Sequence, residues 1–214
     1  MKTKILVFFF IFTHIGLSQN LGVRVGGTTA TITSNNDAYE FNFLDSFVPG
    51  YKLGVFGRYR LSEIIILKPE ISYRLYMVHQ KINLDSDFLY ASKQSCHTLA
   101  MDLNFDIELS NYWSLIFGMG IDYLLIQQHE VNFENTFETH NQDWTALFSD
   151  ERFNPFANIG LCYKVKKNIL IDIEYRHMLD NWSVESIVES NSIISSGNGS
   201  VQLHMINLSL AKVF

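Results

Sequence analysis

The chain has 214 residues, of which 47% are hydrophobic and 18% are charged, and its formal net charge at pH 7 is −6. This composition belongs to a folded chain that is long enough for one sizeable domain, and it excludes a disordered protein. The acidic balance argues against nucleic-acid binding, which needs basic surface to displace counterions.

The first 18 residues have the pattern of a secretory signal peptide. Lys2 and Lys4 precede an apolar run that extends to Leu17, and the small residue Ser18 follows it. The run is shorter than the roughly 20 apolar residues that a membrane-spanning helix needs. We therefore expect cleavage after Ser18 and a mature domain over residues 19–214, whose net charge changes from −6 to −8 with the loss of both lysines.

Beyond the signal peptide, apolar residues recur at every second position in segments of about ten residues. This is the period of a β-strand with two different faces, whereas a helix would repeat every three to four residues. In the fourth segment, for example, Leu99, Leu103 and Phe105 alternate with Asp102 and Asp106. In chain order, the predicted strands lie in residues 21–33, 50–60, 67–77, 99–108, 113–123, 157–165, 169–176 and 204–214.

The predicted connections alternate in length. Short turns are expected near residues 61–63, 110–111 and 166–168, and long loops near residues 33–48, 79–95, 130–152 and 181–199. Short turns at one end and long loops at the other are typical of a transmembrane barrel. The pattern predicts an all-β fold, an eight-stranded antiparallel up-and-down transmembrane β-barrel with short periplasmic turns and long outer loops.

The charged face of the predicted strands is nearly neutral, which favours an enclosed lumen. It carries the basic residues Arg24, Lys52, Arg58, Arg60, Lys68, Arg74, Lys164 and Arg176 and the acidic residues Glu70, Asp102, Asp106, Glu108, Asp122, Asp172 and Glu174. Enclosed charges must be paired to offset their desolvation. We therefore expect these side chains to form a salt-bridge network that fills the lumen, which in an eight-stranded barrel leaves no pore.

The apolar face is expected to contact lipid. It places aromatic residues toward strand ends, as in the girdles of membrane barrels, for example Tyr51, Trp113, Tyr163 and Tyr175. Each strand has about the 9 to 11 residues that a tilted crossing needs. The alternative is a soluble, lipocalin-like barrel, in which the apolar face points inward and the charged face meets water.

Several segments resemble a known family. They are LSQN at the end of the signal peptide, LGVRVGG from Leu21, GYKLGVFGRYRL from Gly50, ILKPEISY from Ile66, and SLIFGMGIDYLL from Ser114. The chain resembles the PorT-like, or outer membrane protein beta-barrel domain, proteins of Bacteroidetes-type bacteria. The resemblance implies an outer-membrane location, and the terminal Phe214 resembles the signal read by the barrel-insertion machinery. No motif carries over a role in type IX secretion or gliding.

Candidate chemistry is sparse, and we expect no metal site and no cofactor. The histidines of the mature chain fall at the outer ends of strands, where His79 and His97 could be cross-strand neighbours and form an outer-rim site. No motif such as G-x-S-x-G indicates a nucleophile, so the sequence predicts that the chain is not an enzyme. Cys96 and Cys162 are expected near opposite strand ends, too far apart for a disulfide.

These observations favour a monomeric barrel that serves as a structural or binding module of the envelope. Its expected partners are outer-membrane lipid, the barrel-insertion machinery during biogenesis, and an envelope or extracellular protein at the outer loops. Two other functions remain open at this point: an outer-leaflet lipid-modifying enzyme with its site at the outer rim, and a soluble carrier of a small ligand.

Overall fold

A computed structural model describes residues 20–34, 48–85, 88–134, 152–179, 182–186 and 197–214. The predicted signal peptide and most residues of the predicted long loops lie outside these ranges. Within them, no helix is long and apolar enough to cross a membrane.

The described chain consists of nine antiparallel strand segments. They are β1 (Asn20–Ser34), β2 (Val48–Arg60), β3 (Ile65–Asp85), β4 (Phe88–Glu108), β5 (Trp113–Glu134), β6 (Phe153–Lys166), β7 (Ile169–Met178), β8 (Trp182–Ser186) and β9 (Gly197–Val213). Both β7 and β8 pair with β9, β7 along residues 204–212 and β8 along residues 197–201. They therefore form one interrupted strand, and the nine segments make the eight strands that the sequence predicts.

The sheet closes on itself. Each strand pairs with its neighbour in sequence, and β1 also pairs with β9 from Gly22↔Val213 to Ser34↔Val201. Register partners can be followed from strand to strand around the barrel, with Met178 and Leu203 paired by continuing the β7–β9 register by one residue. This circuit runs through Gly22, Phe56, Glu70, Asp102, Gly120, Phe156, Met178, Leu203 and Ile32. The circuit returns to β1 ten residues further on, and this stagger gives strands that tilt about 35 to 45° to the barrel axis.

The apolar face of the sheet points outward and the polar face points inward, as a membrane barrel requires. On β9, Leu208 is 59% exposed and Leu210 is 52% exposed, whereas the intervening Ser209 and the preceding Asn207 are buried. The same alternation continues around the barrel, with apolar side chains outside and polar side chains inside. A soluble barrel would show the reverse arrangement, so the lipocalin-like alternative is wrong.

Serine side chains shape two of the short turns. In the first turn, the Ile65 amide donates to Ser62 Oγ at 3.1 Å, and in the second, the Trp113 amide donates to Ser110 Oγ at the same distance. The Leu61 amide also bonds to the Ile65 carbonyl at 2.9 Å. Such side-chain bonds replace backbone partners in a tight turn. The shared sequence L-S-x-x-apolar therefore produces the same turn twice at one end of the barrel, which we call the turn end.

One predicted loop is instead strand. Residues 79–95 were expected to form a long loop, but β3 continues to Asp85 and β4 begins at Phe88. The pairing runs from Ile65↔Ile107 to Asp85↔Phe88, with one irregularity near its end. The prediction failed because it depended on an apolar face. A strand outside hydrocarbon keeps its backbone hydrogen bonds but needs no apolar side chains toward lipid.

Strands β3, β4 and β5 continue together beyond the barrel wall at the opposite end, which we call the loop end. The β2–β3 pairing ends at Tyr51↔Leu75 and the β5–β6 pairing ends at Tyr123↔Phe153, yet β3, β4 and β5 stay paired to one another. We name this extension the outer sheet and define it as residues 77–85, 88–95 and 128–134. Nine residues of β3 correspond to about 30 Å along the strand.

Candidate functional site

The lumen is filled from end to end by side chains of the described strands. At the turn end, it is closed by a buried apolar cluster that we call the turn-end plug, formed by Phe56, Ile116, Cys162, Leu170, Ala211 and Val213. At the loop end, a second cluster, the loop-end plug, is formed by Ala30, Tyr76, Cys96, Phe156, Met178, Leu203 and Met205. Sequence reasoning did not identify these plugs, because single apolar residues on a polar face do not alter the alternation.

Charged side chains lie between the plugs, and the largest cluster centres on Arg24. Its guanidinium lies 2.5 Å from Glu70, 2.5 Å from Asp172 and 3.0 Å from Glu174, and all four side chains are fully buried. Lys52 joins Glu70 at 2.9 Å and Glu174 at 3.3 Å. The cluster ties β1 and β2 to β3 and β7 across the lumen.

A second cluster is a ring of two arginines and two aspartates. Arg74 lies 2.5 Å from Asp102 and 3.1 Å from Asp122, and Arg176 lies 2.7 Å and 2.9 Å from the same two carboxylates. The Arg176 guanidinium also stacks on Phe156 of the loop-end plug, 3.3 Å from the ring centroid. Each carboxylate is thereby shared between two cations, which compensates its complete removal from water.

Two further contacts join buried polar groups of the lumen. Lys68 Nζ lies 2.9 Å from Asp106, and Asn158 donates its amide to Asn104 Oδ1 at 2.9 Å. In all, five cations and six anions are buried in the described lumen, namely Arg24, Lys52, Lys68, Arg74 and Arg176 with Glu70, Asp102, Asp106, Asp122, Asp172 and Glu174.

Part of the predicted lumen set lies instead at the turn-end rim. Arg60 and Lys164 both contact Glu108, at 2.9 Å and 3.2 Å, but the Arg60 side chain is 50% exposed. Arg58 is only half-buried. Alternation fixes which face a residue occupies but not its depth along the strand, so the sequence could not separate these rim residues from the enclosed network.

Glycines provide room for the two phenylalanines of the lumen. A Cβ atom at Gly22 would overlap the Phe56 ring, and one at Gly120 would overlap both the Phe156 ring and the Met101 carbonyl oxygen. Tight interiors tolerate no such addition without displacement. The ring positions therefore depend on small residues on neighbouring strands.

The cysteines belong to different plugs, Cys96 at the loop end and Cys162 at the turn end, and both are free thiols. Their positions confirm the prediction that the two cysteines lie near opposite strand ends.

The predicted His79 and His97 pair does not form. His79 lies opposite Lys93, whereas His97 lies opposite Leu75 and bonds to the Tyr73 hydroxyl through Nδ1. The reason is register, which places the two histidines four residues apart along the β3–β4 ladder. Over the ranges that the structure describes, no three His, Cys, Asp or Glu side chains are grouped to hold a metal ion.

A different histidine pair lies on β7 and β9. His177 and His204 are register partners, and their Nδ1 atoms are 3.2 Å apart. The Tyr175 hydroxyl lies 2.6 Å from the His204 Nδ1. Sequence reasoning missed this group because its histidines are 27 positions apart and meet only when the strand register is known.

Comparison with known proteins identifies the fold family. The family described as "Outer membrane protein beta-barrel domain" matches residues 9–214. No curated protein sequence matches the chain. Among solved structures, the attachment invasion locus protein Ail of Yersinia pestis is 12% identical, with 92% of this chain and 99% of that chain covered and a TM-score of 0.47. Neisserial surface protein A is 10% identical, with 90% and 96% covered and a TM-score of 0.47.

The prediction that the chain is not an enzyme does not stand. The barrels with matching folds include the outer membrane protease OmpT from Escherichia coli, which is 9% identical, with 92% of this chain and 97% of that chain covered and a TM-score of 0.39. The lack of a recognisable motif in this sequence does not exclude a catalytic site, because one fold can carry many unrelated functions.

Proposed function

The chain belongs to the outer membrane protein beta-barrel domain family and lies in the outer membrane, and from this premise we propose that it is a closed structural and binding module of the cell envelope. Its short turns face the periplasm and its loop end faces outward, as is usual for bacterial outer-membrane barrels. We also propose that the chain is one of the PorT-like proteins of Bacteroidetes-type bacteria.

The sealed lumen is the observation that carries the proposal. Eleven buried charges and two apolar plugs fill the lumen, so ions or solutes would have to break several buried ion pairs to pass. Breaking one such pair costs about 3 to 5 kcal/mol. Transport through the barrel is therefore disfavoured, and activity is expected on its outer surfaces.

The outer sheet supports a binding role at the loop end. A tilted crossing of the bilayer takes about 9 to 11 residues, whereas β3, β4 and β5 have 21, 21 and 22 residues. The surplus residues form a hydrogen-bonded sheet that extends away from the membrane surface. Strand pairing orders this part of the chain in advance, so the chain loses less conformational entropy when a partner binds.

The partner at the loop end is a protein of the envelope or of the extracellular medium. Lipid surrounds the barrel wall. The barrel itself acts as a monomer, because its β1–β9 pairing leaves no open edge in the wall for a second copy. The barrel-insertion machinery is a partner only during biogenesis.

Photo-crosslinking in cells tests this proposal. A photoreactive amino acid is placed at position 81 or 91 of the outer sheet, and at Leu208 of the lipid-facing wall as the matched control. The proposal predicts a discrete protein adduct from the outer-sheet positions and lipid adducts alone from position 208. Protein adducts from position 208 only, or no protein adduct from either outer-sheet position, would contradict it.

A further inference from the structure

Three potential ligand atoms converge at the loop end of β7 and β9. The rings of His177 and His204 are 4.9 Å apart between centroids, with 3.2 Å between their Nδ1 atoms. The hydroxyl oxygen of Tyr175, two residues before His177 on the same strand, lies 2.6 Å from the His204 Nδ1. The strand register fixes this arrangement, since His177 and His204 are directly opposed.

On β9, the group lies where the outward residues change from apolar to polar. Along β9 toward the loop end, Leu208 and Ile206 are followed by His204 and then Gln202 on the outward parity, and His204 lies opposite Thr31 of β1. Both histidines are half-buried. Polar outward residues mark the edge of the hydrocarbon, so solutes can reach the group from the outer aqueous side.

The separation of the two nitrogens fits joint coordination of one metal ion. Histidine nitrogens bind Zn²⁺ at about 2.0 to 2.1 Å, which places two of them about 3.3 to 3.4 Å apart in a tetrahedral site. Neighbouring ligands in a square-planar site at similar bond lengths are about 2.8 to 3.0 Å apart. The observed 3.2 Å lies between these values.

Proton sharing within the group favours a cation. The polar neighbours of the His204 Nδ1 include His177 Nδ1 and Tyr175 Oη, but one ring nitrogen offers either one proton or one lone pair. It therefore cannot make two well-directed hydrogen bonds at once. A metal ion would instead accept an electron pair from each of the three atoms.

We propose that His177, His204 and Tyr175 form a site for a divalent transition-metal ion on the outer rim of the barrel. Imidazole and oxygen ligands with a tetragonal preference suit Cu²⁺, which also heads the affinity order of the first-row divalent ions. On binding, both imidazoles coordinate through neutral Nδ1. The Tyr175 hydroxyl coordinates as phenolate and releases its proton to solvent, and water completes the coordination sphere.

Copper titration of the untagged, detergent-refolded protein tests the site. Calorimetry should give one Cu²⁺ per chain, and electron paramagnetic resonance should show coupling to two nitrogens. Replacing a ligand, as in His177→Gln or His204→Gln, should weaken affinity by at least about tenfold. Tyr175→Phe should remove the phenolate-to-copper absorption band while leaving the two-nitrogen signal.

His97→Gln is the matched control. His97 also bonds to a tyrosine hydroxyl at the membrane edge, but its strand neighbours are Leu75 and Ile126 instead of a second histidine. The control should keep full copper affinity. The proposal is overturned if His97→Gln weakens binding as much as His204→Gln, or if the double variant H177Q/H204Q binds copper as tightly as the unmodified chain. A heat-dependent gel shift checks that each variant is folded.

Discussion

Arg176 illustrates how single residues are held in this lumen. Its guanidinium contacts Asp102 and Asp122 and stacks on Phe156, and the side chain is completely buried. Replacement with Met keeps most of the side-chain volume but leaves the two aspartates sharing only Arg74. We expect Arg176→Met to lower the free energy of unfolding by about 3 to 5 kcal/mol, because the loss of one partner leaves a buried charge uncompensated.

The matched control for this variant is Arg60→Met at the turn-end rim. The Arg60 side chain is half exposed and pairs with Glu108 at 2.9 Å. Exposed pairs contribute about 0 to 1 kcal/mol, so a loss no larger than that is expected. Urea titration of the refolded proteins measures both values. Equal, small losses would show that the buried ring contributes nothing to stability.

Gly120 and Gly27 allow a similar comparison of packing. A methyl group at Gly120 would overlap the Phe156 ring, whereas at Gly27 the nearest atom is the Gly50 carbonyl oxygen, 3.9 Å away. We expect Gly120→Ala to cost about 1 to 3 kcal/mol through overpacking. Gly27→Ala should change the free energy of unfolding by less than about 0.5 kcal/mol. Thermal unfolding measures the loss of stability in both variants. Equal losses would contradict the close packing of Gly120 against Phe156.

At the residue scale, the sequence predicted which face of a strand each residue occupies, but not which residues contact one another. Parity placed Arg24, Arg74, Asp102 and Asp122 on the inward face, where the structure finds them buried. It could not say that Arg74 and Arg176 share the same two aspartates, because that depends on the registers of four strand pairs. The same limit explains why His79 and His97 were paired in error and why His177 and His204 were missed.

At the element scale, the outer sheet should be separable from the barrel. Val78 and Gln94 are register partners, so the intervening residues 79–93 can be replaced by a two-residue Asn-Gly turn without changing the ladder below them. We expect this variant to fold, because the apolar wall and the filled lumen remain. Its melting temperature should change by no more than about 4 °C, the shift that 1 kcal/mol produces in a chain of this size.

A heat-dependent gel shift and thermal unfolding test the hairpin replacement, and failure to fold would show that the outer sheet is part of the stable core. The prediction of a loop at residues 79–95 erred for a physical reason. Apolar alternation reports where a strand faces lipid, while hydrogen bonding to the neighbouring strand decides where the strand ends. Inside the wall, the apolar alternation and the strand pairing end at the same place, as at the Ser62 and Ser110 turns. Beyond the wall, the pairing continues after the alternation has ended.

At the scale of the whole molecule, the sequence was most informative. A period of two, eight segments, three short turns and nearly balanced charges sufficed to predict an eight-stranded barrel with an apolar exterior, and the closed sheet confirms this fold. The seal of the lumen was predicted from charge pairing and from the number of strands. The structure adds the two apolar plugs. The sequence did not indicate them, because their members, such as Phe56 and Phe156, are isolated apolar residues on otherwise polar faces.

The most direct test of the sealed barrel is single-channel recording of the refolded protein in a planar lipid bilayer. Because charged clusters and plugs fill the lumen, insertion should produce no stepwise current at either polarity. Stable conductance steps that scale with the number of inserted molecules would contradict the account, since an open path for ions requires the arginine and aspartate network to be absent or displaced.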